Sequence, residues 1–207
     1  APKINTSIDV HKYDALVDHF EATHGVSGLE YIVPVETIHA IQNCAEIVSA
    51  SPRVGAMIGP TAEHADIARA VGFEWSPEGT ESLFHRSRIL LATRAAGSHP
   101  LTGLWERVRD LDGLRAFATQ GRKMGFRGQI VIHPSHAAVV NEAFTPTPEA
   151  IDFHRGLVAT YDEATAHGEG AVMYGDVHVD KAHADKAEEW LAHVALLADL
   201  HGGLPHA

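Results

Sequence analysis

Short apolar runs alternate with segments of helical periodicity along this chain. Runs typical of strands occupy 31–36, 54–59, 100–104 and 129–134, and Pro2-Lys3-Ile4 could end a further strand. The helices predicted from apolar residues at helical spacing cover 9–22, 38–48, 63–71, 78–97, a segment after Asp110 or Asp112 that carries Leu114, Phe117 and Met124, and 148–167. This alternation of strands and helices predicts a parallel sheet.

The end of the chain has a different pattern. Gly168-Glu169-Gly170 breaks the preceding helix, residues 171–180 resemble a small hairpin or extended arm, and a last helix with one apolar face is predicted over 181–200. We therefore predict a βα domain over 1–170 and a C-terminal arm and helix over 171–207. The pattern leaves open whether the strands form an open sheet or part of an eight-stranded barrel.

Composition is ordinary for a globular protein and excludes several classes of function. The 207 residues suffice for one sizeable domain, and 45% of them are hydrophobic. The net charge of −11 argues against a nucleic-acid partner. No apolar run approaches the ~20 residues of a membrane helix, and the single cysteine, Cys44, fits a reducing cytoplasm. The 16 histidines lack zinc-site spacing, and neither G-x-G-x-x-G nor a P-loop occurs.

Two carboxylates follow neighbouring strands. Glu36 ends the run 31–36, and Asp66 lies shortly after the run 54–59. Because neighbouring parallel strands present their carboxyl ends at the same rim, both side chains could face one hard cation there. Two other interpretations stay open, namely Glu36 as half of a structural ion pair and Asp66 as a cap or first-turn residue of a helix.

An ordered set of motifs resembles one family of lyases. The match runs from residue 2 to about residue 190, and its segments are Pro2-Lys3-Ile4, Pro34-Val35-Glu36-Thr37, Gly59 with Asp66, Arg86-Ser87-Arg88, Gly125-Phe126-Arg127-Gly128, Ile132-His133-Pro134-Ser135 and Asn141-Glu142-Ala143-Phe144-Thr145-Pro146. Each motif is weak alone, whereas the ordered set is specific. The chain is similar to the citrate lyase beta-subunit-like group of the 2-oxoacid aldolase superfamily, which includes malyl-CoA and citramalyl-CoA lyases.

This resemblance implies a TIM-type (β/α)₈ barrel, of which the chain would carry strands four to eight plus the C-terminal arm and helix. It also implies a homotrimer or homohexamer, with Mg²⁺ or Mn²⁺ held by Glu36 and Asp66. Six residues separate Gly59 from Asp66, more than is usual in the family, so Glu63 is the alternative second ligand. Thr102 stands where the family often has aspartate.

The C-terminal arm carries the predicted catalytic residue. Asp180 ends a segment similar to the family's Gly-Lys-Met-Val-Asp, and the resemblance implies that it reaches a neighbouring subunit's site for acid/base work. A helix cap is the alternative role, because a helix is predicted to follow directly. Asp176 is the weaker rival within the same segment.

Four basic residues are further candidates. Lys3 is expected to help bind an anionic substrate, and Glu36 is also predicted to contact the substrate. Arg86 and Arg88 match the family's Arg-Ser-Arg, and for both we favour structural pairing over substrate binding. His133, at the end of a predicted strand, is expected to support the site without contacting substrate.

The implied function is a metal-dependent carbon–carbon lyase that cleaves or forms a malyl-, citramalyl- or citryl-type thioester through an enolate. The expected partner is an oxoacid or acyl-CoA, with no membrane or nucleic acid. A CoA-independent hydroxy-oxoacid aldolase is the close variant. A catalytically silent metabolite-binding homologue or subunit is the alternative from another class. The acyl group, its carrier and the oligomer size stay open.

Overall fold

The computed structural model describes residues 3–201 and divides the chain into two compact units, Ala1–Phe144 and Thr145–Ala207. The elements of the first unit are α1 (Ser7–His24), β1 (Tyr31–Pro34), α2 (Ile38–Gln42), α3 (Cys44–Ser49), β2 (Val54–Gly59), α4 (Asp66–Val71), a short 3₁₀ helix (Thr80–Ser82), α5 (Leu83–Ala95), β3 (His99–Thr102), α6 (Leu111–Met124), β4 (Gly128–Gln129) and α7 (Pro134–Phe144). These elements alternate as the sequence predicts, which confirms the α/β class.

The first unit is built on a parallel sheet with strand order β1-β2-β3-β4. Val33 pairs with Met57, and Met57 pairs with Pro100, so neighbouring strands run in the same direction and end at the same edge. The fully buried Ile47, Met57 and Ile89 belong to the core cluster that joins the sheet to its helices. This arrangement is typical of βα units, in which helices cover the faces of a parallel sheet.

Two of the strands predicted from the sequence differ from the structure: one is not formed by its described residues, and one is shorter than predicted. Pro2 lies outside the described residues, and Lys3 and Ile4 form no strand, because Lys3 adopts a left-handed backbone conformation (φ 59°). The strand predicted over 129–134 is reduced to Gly128–Gln129, with Val131 and Ile132 exposed beyond it. The helix α7 that follows was missed by the sequence prediction.

Local signals explain the helices of this unit. The side chain of Asp110 accepts a hydrogen bond from the backbone N–H of Gly113 (2.9 Å), which resolves the choice between Asp110 and Asp112 as the cap of α6. Gly125 ends the same helix in a left-handed conformation (φ 109°). The single helix predicted over 38–48 is broken at Asn43, whose side chain turns to a tertiary partner described below.

Arg53 ties the start of β2 to the end of α1. Its guanidinium contacts Glu21 (Nη2 to Oε2, 2.7 Å), Asp18 (2.8 Å) and the carbonyl of Leu29 (2.9 Å). Glu21 also accepts from the Leu29 N–H (2.8 Å), and the Arg53 hydrogen bond, followed by this one, lowers the pKa of Glu21 to about 2. The network fixes the edge of the sheet opposite the strand ends.

The Glu21 network predicts a specific acid sensitivity. Because the folded pKa of Glu21 lies below its ordinary value of 4.5, its stabilisation is complete above about pH 4.5 and is lost as pH falls toward 2. We expect Glu21→Gln to flatten the decline in unfolding free energy across this window in urea titrations. Asp18→Asn is the matched control, since its carboxylate is 65% exposed and should change the decline less.

The second unit contains α8 (Pro148–Ala166), β5 (Ala171–Tyr174), β6 (Val177–Asp180) and α9 (Lys181–His201). The two strands pair antiparallel, which confirms the predicted hairpin and the helix after it. Leu157 of α8, Val179 of β6 and Ala187 of α9 form the core of this unit. Because α8 packs with the hairpin, the two compact units divide at Phe144/Thr145, whereas the sequence predicted a βα domain over 1–170 followed by an arm and helix over 171–207. Of the arm and helix predicted over 171–207, residues 202–207 lie outside the described chain.

The helices of residues 3–201 include none with the length and apolar character needed to cross a membrane.

Candidate metal centre

Asn5 anchors the N-terminal loop to the segment after β1. The hydroxyl of Thr37 donates to Asn5 Oδ1 (2.5 Å), and the amide of Asn43 donates to the Asn5 carbonyl (3.0 Å). Asn5 N–H in turn donates to Asp9 Oδ2 (3.1 Å). These bonds hold the loop against the turn that contains Glu36, and they explain the break in the helix at Asn43.

The same loop reaches the residue that follows β2. Lys3 Nζ lies 2.5 Å from Asp66 Oδ2, and the Asn5 side chain donates to the Lys3 carbonyl (3.1 Å). The loop from Lys3 to Asn5 therefore contacts both Asp66 and Thr37, the neighbour of Glu36. The loop thus connects the segment after β1, which contains Glu36, to the segment after β2, which contains Asp66.

Glu36 has no protein partner among residues 3–201. The residue is half-buried, and its carboxylate forms no hydrogen bond or ion pair with any residue in the described range 3–201. A structural ion pair, which was the alternative interpretation of Glu36, is therefore not formed within that range. A half-buried carboxylate without a donor is an energetic cost that a bound cation would remove.

Asp66 sits at the first turn of α4, as the sequence allowed, and its N-cap position is taken by Ala65. Lys3 contacts Oδ2, and Arg69 donates to Oδ1 (3.1 Å). The Lys3 hydrogen bond, followed by that of Arg69, lowers the pKa of Asp66, so the carboxylate is ionised at neutral pH. Both cationic side chains are mostly exposed, at 64% for Lys3 and 81% for Arg69. Exposed pairs of this kind are weak and exchangeable.

The donor chemistry of Glu36 and Asp66 fits a hard divalent cation. Both offer carboxylate oxygens, which Mg²⁺ and Mn²⁺ prefer, and Mg²⁺ sites commonly need only one or two carboxylates plus water or substrate oxygens. Asp66 is ionised, and Glu36 is unengaged within residues 3–201. The chemistry of the two side chains therefore fits such an ion, and at Asp66 the ion would take an oxygen that Lys3 or Arg69 now contacts.

A second group of potential ligands lies in the loops after β2 and β3. Glu63 and His64, in the loop after β2, and Glu106, in the loop after β3, place their ligand atoms within 4.8 Å of one another. His64 N–H donates to Glu106 (3.0 Å), and Arg107 pairs with Glu63 (3.4 Å). Glu63, the alternative second ligand predicted from the sequence, is therefore grouped with Glu106 and contacted by Arg107.

Arg86 is fully buried, and its hydrogen-bond partners are buried or part-buried side chains of the protein. Its guanidinium donates to Gln120 Oε1 (2.9 Å) and Thr102 Oγ1 (3.4 Å), and it lies against the rings of Phe117 and Phe126. Burial lowers the pKa of Arg86 to about 10. Its described hydrogen-bond partners include no carboxylate of residues 3–201, and the partner at the end of β3 is Thr102, which stands where the family often has aspartate.

Arg88 and His133 also have local partners. Arg88 donates to the carbonyls of Ile41 (2.8 Å) and Gln42 (2.7 Å), and so binds the end of α2. His133 Nδ1 forms two hydrogen bonds with Ser135 at the start of α7, one with its hydroxyl (2.8 Å) and one with its backbone N–H (3.2 Å). Their contacts are those of structural residues, which is the role that we favoured for both.

Asp180 begins α9 as a helix cap. Its Oδ1 accepts from the N–H of Ala182 (3.0 Å) and of His183 (3.3 Å), and it contacts His183 Nδ1 (2.7 Å). The His183 bond, the largest cause, lowers the pKa of Asp180. The cap is the alternative role that the sequence left open, and the acid/base role stays a prediction.

Two substitutions separate the two roles of Asp180. Asparagine caps a helix about as well as aspartate, whereas alanine does not. We expect Asp180→Asn to keep the thermal midpoint of the parent, while Asp180→Ala lowers it, as measured by circular dichroism. If the carboxylate transfers a proton, Asp180→Asn also lowers kcat by roughly 10²- to 10⁴-fold. A loss of activity in Asp180→Ala alone would leave only the capping role.

Sequence reasoning missed Asn5, His64 and Glu106. The rule that identified Glu36 and Asp66 also applies to Glu106, which follows β3 by a few residues. Asn5 had no such signal, because its partners Thr37 and Asn43 are 32 and 38 residues away in sequence.

Comparisons with known proteins agree with this architecture. Residues 1–134 match the family model described as HpcH/HpaI aldolase/citrate lyase. The chain is 32% identical over 197 residues to a (3S)-malyl-CoA thioesterase of Cereibacter sphaeroides, covering 95% of this chain and 65% of the relative. It is 32% identical over 205 residues to an L-malyl-CoA/beta-methylmalyl-CoA lyase of the same species, covering 90% and 64%. The chain thus spans about 65% of the length of these relatives.

Solved structures give a consistent match. A citrate lyase from Burkholderia xenovorans superimposes with a TM-score of 0.81 at 19% identity, covering 95% of this chain and 62% of that one. At this identity the likeness shows the fold alone. The protein CitE from Mycobacterium tuberculosis, in complex with magnesium, acetoacetate and coenzyme A, matches with a TM-score of 0.65 at 28% identity, covering 80% and 61%.

Proposed function

The chain belongs to the HpcH/HpaI aldolase/citrate lyase family, and from this premise we propose that it serves a metal-dependent carbon–carbon lyase acting on a malyl-type CoA thioester. The observation that carries the proposal is the pair of strand-end carboxylates. Glu36 is half-buried without a partner in residues 3–201, and Asp66 is ionised and joined to the Glu36 turn through the loop from Lys3 to Asn5.

Glu36 and Asp66 are the residues that would hold Mg²⁺ or Mn²⁺. The chemistry supplied by such an ion is Lewis-acid polarisation of the oxygen at the reacting carbon. A neighbour of 28% identity was solved with magnesium, acetoacetate and coenzyme A, which supports a divalent cation and a CoA thioester here. Manganese is the alternative ion, since it accepts the same oxygen ligands.

The chain's own residues would position the substrate and move its proton. Lys3, beside Asp66, would bind the carboxylate of the oxoacid part by charge. Cleavage requires removal of the hydroxyl proton and return of a proton to the departing carbon, and Asp180 of a neighbouring subunit would serve this acid/base step. Because His183 Nδ1 contacts Oδ1 of Asp180 (2.7 Å), this contact would be exchanged for one to the substrate in that assembly.

A second candidate is hydrolysis of the same thioester. It is favoured by the relative of 32% identity named (3S)-malyl-CoA thioesterase. The two reactions break different bonds. A lyase breaks the carbon–carbon bond of the malyl group and yields glyoxylate and acetyl-CoA, whereas a thioesterase consumes water, breaks the carbon–sulfur bond and yields malate and free CoA.

Other parts of the proposal follow from family membership. We infer that the four-stranded parallel sheet is part of a (β/α)₈ barrel, and that the protein assembles as a homotrimer or homohexamer with the C-terminal arm and helix on a neighbouring subunit. The buried single cysteine, Cys44, supports a cytoplasmic location. A CoA-independent aldolase and a catalytically silent homologue are outcomes that the following experiment separates.

The test incubates the full chain with malyl-CoA and Mg²⁺ and follows glyoxylate, acetyl-CoA, malate and free thiol by chromatography. We expect glyoxylate and acetyl-CoA in equal amounts, and we expect EDTA to abolish the formation of both. Malate with free CoA would assign the thioesterase reaction. Cleavage of free hydroxy-oxoacids but not of the thioester would assign the aldolase. No turnover of any of them would overturn the enzyme assignment.

A further inference from the structure

We propose that Lys3 is a tethered cation that holds Asp66 in the metal-free protein, gives up this carboxylate when a divalent cation binds, and then uses its freed ammonium to bind the anionic substrate. The inference rests on the proposed function, because it requires a cation at Asp66. It goes beyond that function by making Lys3 a competitor of the metal and a partner of the substrate in turn.

The ammonium of Lys3 occupies a position at Asp66 that a bound metal ion would take. The ammonium lies 2.5 Å from Oδ2 of Asp66, so it occupies a carboxylate oxygen that a metal ion would need. An ammonium and a divalent cation cannot both sit at the same oxygen without mutual repulsion. Binding of the ion must therefore displace the lysine or be weakened by it.

The lysine can leave without disturbing the fold. Its side chain is 64% exposed, and the loop that carries it is held separately through Asn5, by Thr37 and Asn43. Only the long flexible side chain has to move. Lys3 also has a left-handed backbone conformation (φ 59°), which residues other than glycine rarely adopt. Strained backbone of this kind is common at functional sites.

Arg69 differs from Lys3 although it contacts the same carboxylate. Arg69 lies three residues after Asp66 on α4, so its bond to Oδ1 (3.1 Å) is a local helix contact that persists wherever the helix forms. Lys3 is 63 residues away in sequence and reaches Asp66 from another segment. The two cations thus provide an internal comparison at one carboxylate.

Displacement leaves the ammonium next to the site where the substrate would bind. A substrate carboxylate there would meet the freed charge of Lys3, so metal and anion binding become coupled. Removal of Lys3 should therefore have opposite effects on the two ligands. It should strengthen the binding of the metal alone and weaken the binding of the anion to the metal-loaded protein.

The experiment measures both affinities by calorimetry on the full chain. Mg²⁺ is titrated into the parent, Lys3→Met, Arg69→Met and Lys12→Met, and glyoxylate is then titrated into each Mg²⁺-saturated protein. Lys12 is a bystander control, since it is an exposed lysine that pairs with Asp9 (3.2 Å). Circular dichroism checks that each variant is folded.

For Lys3→Met we expect Mg²⁺ affinity to rise about fivefold and glyoxylate affinity to fall about fivefold, which are the changes that the loss of one exposed charge pair permits. Arg69→Met should raise Mg²⁺ affinity without weakening glyoxylate, and Lys12→Met should change neither. Unchanged or same-direction affinities in Lys3→Met would overturn this inference while leaving the proposed function intact. Absence of Mg²⁺ binding in every folded protein would overturn both.

Discussion

Glu36→Gln is expected to abolish Mg²⁺-dependent turnover, with kcat/KM lowered at least about a thousandfold. The reason is that the substitution removes a carboxylate ligand, and metal polarisation of the reacting oxygen is worth several kcal/mol of transition-state stabilisation. Thermal stability should not fall, because within residues 3–201 the Glu36 carboxylate makes no bond that the substitution could break. Steady-state kinetics and a melting curve on the same preparation check both halves of the prediction.

Glu63→Gln is the matched control for Glu36→Gln. Glu63 also follows a strand end, but its contacts are Arg107 and the group formed with His64 and Glu106. It should therefore retain turnover within a few-fold of the parent. If Glu63→Gln were as inactive as Glu36→Gln, the second metal ligand would be Glu63, and Asp66 would lose the role proposed for it.

The second large effect is expected on stability, at Arg86. Arg86→Ala removes a fully buried side chain between Phe117 and Phe126 and should lower the free energy of unfolding by about 3 kcal/mol. Arg86→Met keeps most of the volume and removes a buried charge that no carboxylate bonds within residues 3–201. Replacing a buried charge by an apolar side chain of similar volume is often neutral, so we expect a change within about 1 kcal/mol.

Urea unfolding of these two variants and of Arg94→Ala checks this prediction. Arg94 lies on the same helix but is exposed, and its loss should change stability by less than about 0.5 kcal/mol. A loss in Arg86→Met as large as in Arg86→Ala would show that the charge itself stabilises the fold. In that case the bonds to Gln120 and Thr102 would outweigh the desolvation that lowers the pKa of Arg86.

The elements that the sequence predicted well are those defined by local signals. The run that forms β2 is apolar and ends at Gly59, and α6 is opened by the Asp110 cap and closed by Gly125. The hairpin of β5 and β6 and the helix α9 after it are also set by nearby residues. For such elements the information lies within a few residues of each boundary.

The elements that were wrong depend on distant partners. The helix over 38–48 is broken because Asn43 bonds Asn5, which no local pattern around Asn43 encodes. The last parallel strand is short because its partner β3 ends at Thr102, which pairs with Gln129 and whose carbonyl accepts a hydrogen bond from the N–H of Ile130 (3.2 Å). An apolar run such as Val131-Ile132 predicts a strand only if a neighbouring edge is present to receive it.

The features of the candidate site also differ in whether they depend on local signals or on distant partners. Glu36 and Asp66 were singled out because residues after neighbouring parallel strands meet at one edge of the sheet, and their role as metal ligands stays a prediction. The occupancy of Asp66 by Lys3 was not predictable, because it depends on a loop contact across 63 residues of sequence. The capping role of Asp180 and its catalytic role fit the same position in the sequence, and the structure supplies the bonds of the first.

The most direct test of the metal–oxoacid site is calorimetric titration of Mg²⁺ into the full chain and into Glu36→Gln, each with and without saturating glyoxylate. We expect that the parent binds Mg²⁺, that glyoxylate tightens this binding, and that Glu36→Gln shows no binding in either condition while remaining folded. Equal Mg²⁺ binding by the folded parent and Glu36→Gln would place the ion elsewhere and contradict the site described above.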